Sequence, residues 1–151
     1  MAELTQQNIR PAKGQAAFLP NQPIIHNCIV DPSAEAPLVC GDVVTFATTA
    51  LANVTVVKKA AAADTPCGVV VYNGIKSGFN AYDRVSIFPV NAFAYLPAGA
   101  EDLTNGSQVS INSNGQVVEA TSGAGVIGIL WTQPAAIGDL VAVQIAPAVA
   151  A

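Results

Sequence analysis

From Leu38 onward the chain is a succession of short runs rich in Val, Ile and aromatic residues, each closed within a few residues by Gly, Pro, Asn or Asp. That punctuation limits the fold more than any other feature. A helix that organises a core needs about ten residues or more of unbroken helical periodicity, whereas strands need only about 4–8, and the intervals between turn residues leave room only for strands. Strands are predicted near 43–47, 54–59, 68–72, 84–88, 92–96, 107–111, 116–120, 126–131 and 139–145. The fold class is therefore all-β: an antiparallel β-sandwich or barrel, jelly-roll-like in its many short strands. Composition agrees, because 52% hydrophobic residues exclude a chain too polar to offset its conformational entropy, and the 11% of charged residues leave a surface short of charge.

Four segments repeat one pattern: Gly41-Asp42-Val43-Val44, Tyr82-Asp83-Arg84-Val85, Gly106-Ser107-Gln108-Val109 and Gly138-Asp139-Leu140-Val141. Each reads as a turn feeding a strand, with the short Asp or Ser side chain bonding a backbone N–H further along the turn and the residue that follows settling into the pleat. The copies are spaced too irregularly for a solenoid or propeller. Residues 107–120 form the clearest hairpin: Val109 and Ile111 alternate with polar residues, and Asn114-Gly115 supplies the positive φ angles of a tight turn. Helix is confined to a turn in 59–64, where four alanines run together, and one near 100–103.

Residues 1–36 differ from the β-rich domain of 37–151. Four of the ten prolines, Pro11, Pro20, Pro23 and Pro32, lie there among Gln and Asn, which excludes a regular helix and reads as an extended N-terminal arm. Residues 24–30 are apolar enough to add one strand to a sheet, in this chain or a neighbouring one. The arm is expected to be dispensable for folding of the domain and to bury Ile9, Phe18, Leu19, Ile24 and Ile25 against another chain, which makes these the candidate partner-binding residues.

The search for chemistry yields no catalytic, cofactor or metal constellation. Gly123-Ala-Gly125-Val-Ile-Gly128 matches the dinucleotide-binding string, yet the β-branched and aromatic stretch that follows runs into Pro134 where that motif needs a helix to receive the pyrophosphate. His26, Cys28, Cys40 and Cys67 are the residue types of a zinc site at intervals matching no knuckle or ribbon, and free buried thiols are the expectation. His26 is the only histidine; two residues from Cys28 on a strand it would share a face with that thiol, but no oxyanion loop accompanies the pair. Asp42, Asp83 and Asp139 are explained by their shared turns. Phe79, Tyr82, Phe88, Phe93, Tyr95 and Trp131 fall at strand spacing and suit a core, with Phe93 to Pro97 alternatively an apolar ridge for a partner. The net charge of −4 and six scattered Lys and Arg leave no basic stripe for nucleic acid. The first thirty residues hold no signal-peptide core, and no stretch approaches the roughly 20 apolar residues of a membrane helix, so no membrane partner and synthesis in cytosol are expected.

From Val39 to Pro147 the chain resembles the small capsid cement, or decoration, proteins of tailed bacteriophages. The resemblance is carried by Cys40-Gly-Asp-Val-Val-Thr45, Val54-Thr-Val-Val-Lys-Lys-Ala60, Cys67-Gly-Val-Val-Val-Tyr72, Tyr82-Asp-Arg-Val-Ser-Ile-Phe88, the hairpin of 106–119, Gly125-Val-Ile-Gly-Ile-Leu130 and Ile137-Gly-Asp-Leu-Val-Ala-Val-Gln-Ile145. It implies a structural virion protein without enzymatic activity or cofactor, made in the host cytoplasm. Such a protein binds the major capsid protein on the capsid exterior as a homo-oligomer, dimer or trimer, and stabilises the head. Two other readings stay open: a β-sandwich binding module of a phage tail or fibre, and a small trimeric β-barrel enzyme with an intersubunit site including His26 and the aspartates.

Overall fold

Consecutive apolar residues in a strand point to opposite faces, so a Val-Val pair is expected where both faces of a strand are covered. The computed structural model, which describes residues 11–146 apart from 122 and 124, bears this out in detail. Its strands are β1 (Ile25–Val30), β2 (Leu38–Val39), β3 (Val43–Phe46), β4 (Val56–Lys59), β5 (Gly68–Val70), β6 (Gly78–Phe79), β7 (Arg84–Phe88), β8 (Phe93–Pro97), β9 (Gln108–Ile111), β10 (Val117–Glu119), β11 (Gly128–Leu130) and β12 (Leu140–Ile145). Strands β1-β4-β3-β5-β7 close a barrel, and β10-β9-β11-β12-β8 form a second sheet. Val44, Val70 and Ile87 fill the barrel with Cys28, Val30 and Val57, while their neighbours Val43, Val69 and Phe88 face outward into a second core. That second core lies under the inner face of the five-stranded sheet, against Leu96, Val109, Leu130, Val141 and Val143. The short β2–β6 ribbon contributes Leu38 and Phe79 to the barrel core.

The fold is all-β, and both alternatives are realised: a barrel, with a sheet packed on its flank. A closed five-stranded barrel and a five-stranded sheet stand in place of a jelly roll's paired four-stranded sheets. Among the named strands pairing is antiparallel except β1 with β4, which run parallel. The exception is geometric, because an odd number of strands in a closed ring cannot alternate direction all the way round. Each of the nine strands predicted from Leu38 onward is present: β7 has the predicted bounds, β8 is shifted by one residue, and the other seven are shortened at their ends. Neither helical segment forms among the described residues: in 59–64 the Asp64 carboxylate accepts from Ala61 N while Asp64 N donates to Ala61 O, which closes a turn instead.

The same closure recurs in the repeated turns. Asp42, Asp83 and Asp139 each accept from the N–H three residues earlier, of Val39, Asn80 and Ala136, and donate their own N–H to that residue's carbonyl. The bond therefore runs backward, where the sequence pattern predicted a forward one. The residue between must turn left-handed, and φ is +85° at Gly41, +69° at Tyr82, +86° at Gly106 and +93° at Gly138. In the hairpin Gly115 has φ +74°, as expected, but Asn114 does not share it. Asn112 N bonds Gln116 O and Gly115 N bonds Asn112 O, so the loop has three residues, not two, with the left-handed glycine last.

The division at residue 36 does not follow the packing. Strand β1 is an integral barrel strand between β4 and β7, with Cys28 and Val30 buried. Residues 14–17 continue the second sheet beyond β8: Gly14 N and Ala17 N donate to Tyr95 O and Phe93 O, and Tyr95 N donates to Gln15 O. Gly14 O in turn accepts from Tyr72 N beside the barrel, so this segment clasps the barrel and the sheet together. Prolines exclude helix but not an extended strand on a sheet edge, which is where this segment lies.

Candidate functional site

Sheet alternation decides which apolar residues remain outside. On β11 Leu130 points into the core, so Trp131, just past the strand, lies on the outer face with Ile129, whose cross-strand partner is Gln144 on β12, itself paired with Phe93 on β8. Trp131 Nε1 donates to Gln144 Oε1 at 3.2 Å, which ties the indole to β12. Phe18 completes a cluster of three rings in edge-to-face contact, with centroids 5.7 Å from Phe93 and 6.2 Å from Trp131, and 5.5 Å between those two. Such pairs are worth about 0.5–1.5 kcal/mol beyond the area they bury. Yet Phe18 is 56% exposed and Trp131 48%, with Leu19 beside them at 53%.

The backbone that holds Phe18 outward is itself constrained. Phe18 has φ +58°, a left-handed value that an aromatic residue rarely adopts, and Leu19 N donates to Ala17 O across it at 2.6 Å in a three-residue turn. Gln22, nearly fully buried, supports the turn from beneath. Its Nε2 donates to Phe93 O at 2.8 Å and to Ala17 O at 3.3 Å, and its Oε1 accepts from Phe93 N. One amide side chain thus replaces a strand residue on the edge of β8. Strain of this kind persists only where the surroundings enforce it, and here it presents a ring to solvent.

Of the predicted partner-binding residues, Phe18 belongs to this cluster, Leu19 follows it in the chain and is exposed, and Ile9 lies outside the described residues. Ile24 and Ile25 are exposed on a different surface at the start of β1. Ile24 borders a shallow cavity of about 440 Å³ lined also by His26, Tyr72, Ile75 and Ser86. Within it His26 Nδ1 is hydrogen-bonded to Ser86 Oγ at 2.9 Å. His26 and Cys28 do not share a face as the two-residue spacing predicted: a bulge at Asn27, φ +63°, breaks the register of β1 on β7 and sends the imidazole to solvent and the thiol into the barrel. The aspartates stay apart in their separate turns, and no group of three His, Cys, Asp or Glu side chains able to hold a metal occurs among the described residues. Burial pushes the Cys28 thiol up, and pushes Cys67 up to about 11 with neighbouring Cys28 adding to the rise. The Gly123–Gly128 string leads into β11 rather than a helix, with the Gly128 backbone against the Gln144 carbonyl.

The core assignment of the aromatics holds for Phe79 and Phe88 and fails for Tyr82 and Trp131, which are exposed, and for Phe93 and Tyr95, which are half-buried on the outer face. The alternation Gly128-Ile129-Leu130-Trp131 already placed Trp131 opposite Leu130. Gln22 carried no sequence signal, because its role depends on a strand edge far along the chain.

No family model matches the chain, and no curated protein does. Among solved structures the fold is similar to that of the head fibre gp8.5 N base of bacteriophage phi29, with a TM-score of 0.59 at 16% identity, over 85% of this chain and 98% of that one. At that identity the likeness is one of fold. With 85% of this chain covered, the match includes residues of both the barrel and the sheet.

Proposed function

We propose that this chain is a non-enzymatic structural protein of a tailed-phage head, which binds the major capsid protein on the outer surface of the shell as a homo-oligomer and stabilises it. The observation that carries the reading is the correspondence of fold with nearly the whole base domain of a phage head fibre. The same likeness favours a second form of the reading, in which the domain is the base of a fibre and not a stand-alone cement. In both forms the cluster of Phe18, Leu19, Phe93 and Trp131 is the contact surface. Its three most exposed side chains offer roughly 300 Å² of apolar area, the size of a functional patch on a monomer. A standard interface buries about 800 Å² per partner, so the cluster would form the dry centre of a contact with a polar rim.

Co-sedimentation with capsid-protein shells is the test. The wild-type chain is expected to pellet with shells, and the double variant Phe18→Ser/Trp131→Ala to bind at least about tenfold more weakly, as loss of two central aromatic anchors implies. Failure of the wild type to pellet overturns the reading; equal binding by the variant moves the contact to another face. Capture of shells by the monomeric domain, with a further segment of the particle required for any stabilisation, would favour the fibre-base form.

A further inference from the structure

Three Asn-Gly pairs occur in the chain, Asn73-Gly74, Asn105-Gly106 and Asn114-Gly115, and all three asparagines are exposed. The structure treats them differently. Gly106 N donates to Leu130 O at 2.7 Å and Gly115 N donates to Asn112 O at 3.0 Å, so two of the three glycine nitrogens are engaged. Gly74 N has no hydrogen-bond partner among the described residues. Instead the Asn73 side chain folds over its own following peptide, with Oδ1 accepting from Ile75 N at 2.9 Å and Lys76 N at 3.1 Å. An oxygen held by two N–H donors makes the attached carbon more electrophilic, because negative charge arriving on that oxygen during attack is already partnered. Both bonds reach past Gly74, so the carboxamide is held at the peptide that carries Gly74 N instead of rotating freely in solvent.

We propose that Asn73 is a site of self-catalysed deamidation, at which this loop ages in preference to the other two Asn-Gly pairs. Gly74 N, losing its proton to solvent base, forms a bond to Asn73 Cγ; the Cγ–Nδ2 bond breaks and the nitrogen leaves as ammonia, which carries away a proton. The cyclic imide then takes up one water at either carbonyl. Opening at one carbonyl gives an ordinary Asp, and opening at the other gives a β-linked isoaspartate whose main chain is longer by one methylene. Either product adds one negative charge beside Lys76, whose Nζ already pairs with Asp83 at 2.8 Å. The β-linked product also withdraws the oxygen that receives Ile75 N and Lys76 N. Ile75, fully exposed at the loop tip beside the His26 cavity, then loses the turn that positions it.

The experiment incubates the full-length folded chain in mildly alkaline buffer and follows each Asn-Gly pair by peptide mapping and mass spectrometry, with isoaspartate quantified enzymatically and the urea-unfolded chain as the reference. In the folded chain Asn73 is expected to convert about tenfold faster than Asn105 and Asn114, whereas in urea the three converge, since only the fold holds the reacting groups in place. Ile75→Pro removes one donor to Oδ1 and is expected to slow conversion of Asn73 about fivefold while circular dichroism stays unchanged. Conversion of Asn105 or Asn114 as fast as Asn73 in the folded chain overturns the proposal. An unchanged rate in Ile75→Pro, with the fold intact, overturns the part assigned to the two donors.

Discussion

Substituting Gly14 by alanine tests whether the segment before β1 is part of the molecule's own core. Gly14 has φ +84°, and a Cβ there would stand 2.6 Å from Gly41 N and 2.7 Å from Val70 O. The left-handed backbone costs an L-residue about 1–2 kcal/mol. The clash is with backbone, so the segment must move away and lengthen the bonds Gly14 N–Tyr95 O (2.8 Å), Tyr72 N–Gly14 O (3.0 Å) and Gly41 N–Val70 O (2.9 Å). At about 0.5–1.5 kcal/mol net for each of the three weakened bonds, added to the backbone cost, the total destabilisation is about 2.5–6.5 kcal/mol. Gly138→Ala is the matched control: φ is +93°, and nothing lies within 4 Å of its Cβ position. It should lose only the backbone part, about 1–2 kcal/mol. Urea unfolding followed by circular dichroism reads the difference directly; with a slope of about 2 kcal/mol per molar, the bond part of about 1.5–4.5 kcal/mol should separate the two midpoints by about 0.75–2.25 M. Equal midpoints for the two variants would refute the reasoning, because residue 14 would then not be pressed between the barrel and the sheet.

The remaining expectations follow from the same geometry. Deletion of residues 2–22, expected from sequence to leave a folded domain, should instead abolish the cooperative melt, since it removes Gly14, the buried Ala17 and the Gln22 amide that pairs Phe93; a cooperative melt with native β-sheet signal would return the segment to the status of a separable arm. The Asp31 carboxyl is held below its ordinary value chiefly by Ser33 N–H, and that of Asp83 chiefly by Lys76. A depressed carboxyl pKa contributes stability that is complete above about 3.8, the ordinary value, and lost as pH falls through the lower folded value, so Asp31→Asn/Asp83→Asn should flatten the acid limb of the stability profile and leave its alkaline limb unchanged. Maleimide at neutral pH should modify Cys40 at least about tenfold faster than Cys28 and Cys67, whose thiols burial keeps protonated; equal rates would show that burial does not shield those two thiols.

What the sequence by itself determined is local. Strand positions followed from short Val, Ile and aromatic runs closed by turn residues, and turns from Gly-Asp and Asn-Gly, because both signals are written in residues that lie within a few positions of each other. His26 and Cys28 mark where that logic stopped: the spacing was right, and one left-handed residue, Asn27, reversed its meaning. Tertiary structure alone decided the rest. That β1 closes the barrel beside β4, that residues 14–17 extend the sheet along β8, and that Gln22 stands in for a strand residue opposite Phe93 are all pairings between distant segments. Such pairings depend on which sheet edge remains unpaired after the others have formed, and an open edge attracts any extended segment of fitting register, whatever its local composition. The aromatic cluster has the same origin, since Phe18, Phe93 and Trp131 come from three segments that only the completed sheet brings to one face.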